Sequence, residues 1–92
     1  MTDTPTLWSV YLLRCADGSI YTGISKDVSA RVEKHNQGKG AAYTAQRRPV
    51  ALIYQEPHPD QGSALRREGQ IKRWRKRQKE ALASSGPSVR SR

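Results

Sequence analysis

The feature that most constrains the fold is a turn cluster, Cys15 to Ser19 (Cys-Ala-Asp-Gly-Ser), between two short runs of strand-forming residues. The first run, Trp8 to Arg14, is rich in aromatic and branched side chains, and apolar residues occupy both odd and even positions. That pattern is typical of a strand covered on both faces. The second run spans Ile20 to Ser25. Together the two runs and their turn predict a β-hairpin.

The type of turn decides how two tyrosines of the hairpin, Tyr11 and Tyr21, are arranged. A two-residue type I′ turn at Asp17-Gly18 would place the two phenols on opposite faces of the sheet. A three-residue turn closed by Gly18 in the left-handed region would set Tyr11 opposite Gly23. Both phenols would then share one face as diagonal neighbours, about 7–8 Å apart at the backbone. A glycine inside a strand weakens it, so the close approach of a ring or ligand would explain Gly23. Ordinary strand tyrosines are the alternative interpretation.

A helix is predicted after the hairpin. Asp27 is a suitable N-cap for a helix that runs to about Gln37, and Gly38 is a suitable stop. A basic loop that contains glycine follows, and a short helical turn is expected after it, with ends that we do not assign.

The second half of the chain predicts a strand and a helix. Val50 to Gln55 has the composition of a third strand, and a strongly helix-forming segment runs from Ala64 to about Leu82. Asp60 or Ser63 is available as its N-cap. The element order is therefore β-β-α-β-α. This order predicts an α+β fold in which a small three-stranded antiparallel sheet is flanked by helices.

Composition narrows the class of protein. A chain of 92 residues, 35% of them hydrophobic, has room for one domain, which we assign to residues 7–83; residues 84–92 have the composition of a disordered basic tail. The net charge of +9 favours polyanionic partners, nucleic acid before an anionic membrane. Cys15 is the only cysteine, which excludes an intrachain disulfide. Because neither a signal peptide nor a bilayer-spanning segment is evident, we expect a cytoplasmic protein.

One face of the first predicted helix carries two functional candidates, Arg31 and His35, beside Val28 and Val32. Residues four apart on a helix are neighbours. A charged group on an inward face is costly unless it is paired or functional. The structural alternative is that Arg31 extends past the apolar residues while His35 is satisfied near the helix end.

The last predicted helix carries one acid on its apolar side, Glu68, among many cations. The structural alternative for Glu68 is an ion pair with Lys72, four residues later, worth about 0.2–0.5 kcal/mol. Trp74 flanks the same stripe. We favour a core position for Trp74, and stacking on a nucleobase is the alternative.

The hairpin resembles the paired motif of the GIY-YIG nuclease superfamily. Ser9-Val10-Tyr11 is followed by Tyr21-Thr22-Gly23, and the spacing between the tyrosines is typical of that family. Only Tyr11, Tyr21 and Gly23 match the motif literally. The chain is similar in particular to the small stand-alone bacterial members, and also to the nuclease subunit of a eukaryotic junction endonuclease.

Three further positions agree with the resemblance. Arg31 matches an arginine at this offset from the second tyrosine, and His35 matches a histidine or tyrosine one turn later. Glu68 resembles the single glutamate that holds the family's metal ion, on a helix after the third strand. Some members carry a supporting asparagine further on, and this chain has no asparagine after Asn36.

The resemblance implies a DNA endonuclease that depends on Mg²⁺ or Mn²⁺, and it leaves open whether cutting is structure-specific, as in DNA repair or recombination. Tyr11, or with less support Tyr21, would act as general base toward water. Arg31 would hold the phosphate, His35 would relay a proton, and Glu68 would position the metal ion. The expected contacts to substrate come from Gly23 and from basic side chains: Lys39, Arg47, Arg48, Lys72 and Arg75.

Two other functions stay open on the sequence. A catalytically weak nucleic-acid-binding module could use the same scaffold, and a basic ribosome-associated protein would bind RNA but would give Glu68 no role. A protein partner that supplies targeting is also compatible with so small a domain.

Overall fold

The computed structural model describes residues 7–85, which form a three-stranded antiparallel sheet between two layers of helices. The strand order is β2-β1-β3, so the hairpin occupies the centre and one edge. The elements, in chain order, are β1 (Trp8–Arg14), β2 (Ile20–Ser25), α1 (Val28–Asn36), α2 (Ala42–Ala45), β3 (Ala51–His58), α3 (Gln61–Lys72) and α4 (Lys76–Ser85). The predicted α+β class with a small flanked sheet is confirmed.

The hairpin closes through the three-residue turn. Gly18 has a φ of 88°, in the left-handed region that glycine occupies without a steric penalty. The backbone N–H of Cys15 donates to the carbonyl of Ser19 at 2.8 Å. Tyr11 therefore pairs with Gly23, and the register with both tyrosines on one sheet face is confirmed.

The central strand β1 supplies both halves of the core. Val10 and Leu12 pack with Ile71 of α3 on one face of the sheet. Tyr11 and Leu13 pack on the other face, in the cluster that contains Val28 of α1. These four β1 side chains are at most 1% exposed, which accounts for the apolar residues at both odd and even positions of the run.

The third strand is longer than predicted. It continues from Ala51 to His58 and pairs with β1 as far as Trp8. Pro57 lies within it, and because β3 is an edge strand the missing N–H can be tolerated there.

The single helix predicted from Ala64 to Leu82 was wrong, because the structure has two helices there. α3 begins at Gln61, where the Asp60 carboxylate accepts the backbone N–H of Ser63 at 2.8 Å. It ends at Lys72, and α4 starts at Lys76.

No glycine or proline marks the break, at residues 73–75. Trp74, between the two helices, packs against the core with Leu82 of α4, which confirms its predicted core position. The side chain of Gln78 accepts the N–H of Arg75 at 2.9 Å and so caps the new helix. Ser84 and Ser85 end α4, and the remainder of the predicted basic tail, 86–92, lies outside the described residues. Within residues 7–85 no helix is long and apolar enough to cross a bilayer.

Replacement of Gly69 by alanine tests whether this glycine lowers the stability of α3. Gly69 is exposed within the helix, and an added Cβ would have no atom within 4 Å. We expect Gly69→Ala to raise the free energy of unfolding by about 0.5–1 kcal/mol, because glycine loses more backbone entropy on folding. Urea denaturation measures the change. Gly23→Ala is the matched control and should destabilise, since its Cβ would lie 2.5 Å from the Tyr11 hydroxyl.

Candidate active site

The centre of the candidate site is a buried hydrogen bond between the hairpin and the first helix. The Tyr11 hydroxyl lies 2.8 Å from Nε2 of His35. Tyr11 is 1% exposed and His35 is fully buried. β1 directs the phenol toward α1, and His35 occupies the inward face at the C-terminal end of α1. The predicted convergence of this tyrosine and this histidine is therefore observed.

The other nitrogen of His35 contacts a residue that we did not single out in the sequence. Nδ1 lies 2.7 Å from the hydroxyl oxygen of Thr44, which is fully buried on α2. The Thr44 hydroxyl in turn donates to the carbonyl of Ala41 at 3.1 Å. A buried chain of polar groups therefore runs from the hairpin through the imidazole to a backbone carbonyl.

Two glycines allow this packing. A Cβ at Gly23 would lie 2.6 Å from the ring carbon that bears the Tyr11 hydroxyl, and a Cβ at Gly40 would overlap the ring of His35. Close approach of a ring to Gly23 was one of the sequence interpretations, and the ring is that of Tyr11. Gly40 was not singled out, because a glycine in a basic loop has no local signature of such a contact.

Tyr21 lies beside this pair and is partly exposed. Its ring centroid is 5.1 Å from that of His35 and 6.4 Å from that of Tyr11. On its other side Tyr43 lies 6.0 Å away, and the guanidinium of Arg47 is 3.8 Å from the Tyr43 ring centroid. An aromatic stack thus connects the buried phenol to the protein surface.

Arg31 supplies positive charge at the edge of the cluster. Its side chain is half-buried, and Nη2 donates to the carbonyl of Gly40 at 3.4 Å. A cavity of about 150 Å³ at the start of α1 adjoins it, lined by Ser25, Asp27, Ala30, Arg31 and Lys34.

Burial controls the protonation of both central groups. It raises the pKa of the Tyr11 phenol to about 12, and the neighbouring Arg31 opposes that rise. Burial, followed by the positive charge of Arg31, lowers the pKa of His35 from its ordinary value of 6.5. At neutral pH the pair is therefore a neutral phenol beside a neutral imidazole.

Glu68 lies on α3, in the layer on the other side of the sheet. Its side chain is 17% exposed, and its carboxylate is 3.4 Å from Nζ of Lys72, the ion pair considered as the structural alternative. Its negative charge nevertheless adds to the rise in the pKa of Tyr11, so the two groups interact electrostatically. Within residues 7–85 no three His, Cys, Asp or Glu side chains cluster as a metal site.

The other predicted basic contacts are dispersed, and some are already engaged. Arg47 pairs with Asp17 at 3.1 Å. Arg48 donates to the carbonyl of Ala45 at 2.9 Å. Lys39 is exposed in the loop before α2, and Arg75 is exposed between α3 and α4.

Comparison with known proteins identifies the relatives of this chain. The family described as the GIY-YIG catalytic domain matches residues 7–81. A UPF0213 protein of Staphylococcus aureus strain Mu50 is 56% identical over 70 residues, which cover 76% of this chain and 85% of that protein.

Two solution NMR structures are similar in fold. A UPF0213 protein of Bacillus halodurans has a TM-score of 0.56 and 43% identity, over 88% of this chain and 87% of that one. A protein of E. faecalis has a TM-score of 0.61 and 34% identity, over 91% of this chain and 90% of that one.

The pH dependence of stability tests the burial of neutral His35. The unfolded chain binds a proton near the ordinary histidine pKa of about 6.5, whereas the folded chain binds it only at lower pH. We therefore expect the free energy of unfolding to fall as pH drops below that value. Urea denaturation at pH 8 and pH 5.5 measures the loss. His35→Gln should reduce the loss of unfolding free energy between these two pH values. His58→Gln, in the β3 network with Glu56, should leave that loss unchanged.

An NMR titration of the His35 imidazole measures its pKa directly. A midpoint for His35 at or above 6.5 would contradict the assignment of a buried neutral ring.

Proposed function

This chain belongs to the GIY-YIG family, and from that premise we propose that it is a metal-dependent endonuclease that hydrolyses phosphodiester bonds in DNA. The observation that carries the proposal is the convergence of Tyr11, Tyr21, Arg31 and His35 in one cluster. The net charge of +9 supports a nucleic-acid substrate, since it favours association with a polyanion.

The roles of the central pair follow from their protonation. A phenol with a pKa of about 12 supplies almost no phenolate at neutral pH. Tyr11 can still act as a base if it accepts the proton of the attacking water while it passes its own proton to Nε2 of His35, 2.8 Å away. The water oxygen forms the new bond to phosphorus as the bond to the leaving oxygen breaks. His35 is then an imidazolium, and because it is fully buried it returns its proton through the Tyr11 hydroxyl after the leaving group has departed.

Arg31 is the residue proposed to hold the scissile phosphate. A guanidinium has five N–H donors in a planar fork that matches phosphate oxygens. The contact with Gly40 uses only part of that capacity. The positive charge also stabilises the phosphorane-like transition state, where negative charge accumulates on the equatorial oxygens.

Glu68 is the residue proposed to hold Mg²⁺ or Mn²⁺. Its carboxylate is the hard oxygen ligand that these ions prefer, and one carboxylate with waters and phosphate oxygens is a usual set for Mg²⁺. When bound, the ion would supply the charge that stabilises the leaving oxygen. Lys72, which pairs with Glu68, is a proposed contact to the phosphate backbone, and Lys39, Arg48 and Arg75 are the other proposed contacts.

A nucleic-acid-binding module with negligible catalysis is the second candidate. The observation that favours it is the burial of the Tyr11 phenol, at 1% exposure, which leaves little surface for an attacking water. A protein partner that supplies targeting, and a cytoplasmic location, are compatible with either function.

Neutralisation of Glu68 tests the metal site. We expect Glu68→Gln to reduce cutting of branched and linear DNA, with Mg²⁺ or Mn²⁺, by at least about 100-fold, because even outer-shell changes at metal sites cost 10–100-fold. EDTA should abolish wild-type cutting. Glu33→Gln, at an exposed position of α1, is the matched control for the charge change and should keep wild-type activity. Metal-dependent cutting that survives Glu68→Gln would exclude the proposed site. Intact binding with no cutting by the wild type would favour the module.

Replacement of Tyr11 or Tyr21, one at a time, by phenylalanine tests which tyrosine is the base. We expect Tyr11→Phe to lower kcat by about 10²–10⁴-fold, the usual contribution of a general base. Tyr21→Phe should cost less, because the phenol with a hydrogen-bonded proton acceptor is that of Tyr11. Single-turnover cleavage with saturating metal measures both. A larger decrease of kcat in Tyr21→Phe than in Tyr11→Phe would identify Tyr21 as the base.

A further inference from the structure

Thr44 is the one member of the buried polar chain that neither the family motif nor the mechanism above uses. It lies on α2, a helix of four residues, and is fully buried. Its hydroxyl lies between Nδ1 of His35, at 2.7 Å, and the carbonyl of Ala41, at 3.1 Å. A hydroxyl with partners on both sides can impose a direction on the hydrogen bonds around it.

That direction follows from the chemistry of the three groups. The Thr44 hydroxyl donates its single hydrogen to the Ala41 carbonyl at 3.1 Å, and that carbonyl also accepts the backbone N–H of Ala45 at 2.9 Å. With its hydrogen in that bond, the Thr44 oxygen accepts from His35, which places a hydrogen on Nδ1. In a neutral imidazole the other nitrogen then carries a lone pair. Nε2 is the atom 2.8 Å from Tyr11, so the phenol donates its proton toward His35.

The opposite tautomer would stop the proposed transfer. With its hydrogen on Nε2, His35 would donate to the Tyr11 oxygen and would have no lone pair to receive the phenol proton. Its Nδ1 would also face the lone pairs of the Thr44 oxygen unless the hydroxyl gave up its bond to Ala41. A rotation of the ring is restricted as well, because Gly40 lies against one side of it and Tyr21 against another.

The hairpin itself holds Thr44 in place. The backbone N–H of Arg47 donates to the Thr44 carbonyl at 2.9 Å, and the Arg47 carbonyl accepts from the N–H of Ala16 in the hairpin turn, also at 2.9 Å. The Arg47 side chain binds Asp17 of the same turn. The element that carries Tyr11 thus also fixes the far end of the chain of hydrogen bonds.

We propose that Thr44 is a positioning residue that holds His35 as the Nδ1–H tautomer, so that Nε2 is the proton acceptor for Tyr11. The catalytic consequence rests on the proposed nuclease function, whereas the tautomer itself does not. The charged and titratable groups that face the imidazole are Tyr11, Tyr21 and Arg31, with Glu68 acting on the same cluster from α3. None of them replaces the Thr44 oxygen at Nδ1 in the described contacts.

The test compares Thr44→Val, which keeps the shape but removes the hydroxyl, with Thr44→Ser, which retains it. Nitrogen chemical shifts of the His35 imidazole at pH 8, from ¹⁵N-labelled protein, report the tautomer directly. We expect the Nδ1–H form in the wild type and in Thr44→Ser, and a shift toward the Nε2–H form in Thr44→Val. A wild type in the Nε2–H form would overturn the proposal even if Thr44→Val did not fold. An unchanged tautomer in Thr44→Val would overturn it too.

Cleavage kinetics distinguish a role of Thr44 in positioning His35 from a general effect of Thr44 on stability. In single-turnover cleavage we expect Thr44→Val to lower kcat by about 10–100-fold, by analogy with the loss of a partner that orients a metal-bound histidine, with KM unchanged and with rescue by Thr44→Ser. In a His35→Gln background the same change should have no further effect, because Thr44 acts through the imidazole. Additive losses would overturn the proposed route. If no variant cuts DNA while the tautomers behave as expected, the nuclease function fails and the role of Thr44 in orienting His35 stands.

Discussion

The pairing of Tyr11 with Gly23 is the constraint on which the rest of the structure depends. A phenol can lie across the neighbouring strand only where that strand lacks a Cβ, and this register requires the left-handed turn at Gly18. Once the register is set, every side chain of β1 is assigned to a face. Tyr11 then points toward α1, and its contact with His35 determines where that helix can sit. A shift of one residue would exchange the two cores as well as the site.

In this small domain, some residues of the hydrophobic core are also residues of the candidate active site. The layer under α1 and α2 contains two buried polar side chains, His35 and Thr44, beside the phenol of Tyr11. Burial of a polar group is costly unless it is hydrogen-bonded, and these three satisfy one another in sequence. The same burial keeps the phenol and the imidazole neutral, which is the state from which a proton can pass between them. The opposite layer, with Ile71 and Trp74, has a mainly hydrophobic core.

Prediction from the sequence succeeded where a local pattern determines the outcome. The hairpin, the helix that begins after Asp27 and the three-stranded class were read from turn residues, a capping residue and apolar runs, and the structure has each of them. It failed for the last helix, because the segment from 73 to 75, where Trp74 packs against the core, has no helix-breaking residue to mark the break. The grouping of Tyr11 and Tyr21 was conditional on the turn. The roles of Arg31, His35 and Glu68 came from the family resemblance and remain predictions.

The sequence by itself determined which strands exist and which residues can cap or turn, because these depend on neighbours along the chain. It also determined the strong positive charge, which follows from composition. Only the tertiary structure decided that Gly40 makes room for the imidazole and that Thr44 contacts its far nitrogen. Both residues lie in a loop and a four-residue helix with no periodic pattern, and their contacts join segments that are distant in sequence. A hydroxyl acquires its direction from the groups on either side of it. Those groups are brought together only when α2 is anchored to the hairpin turn.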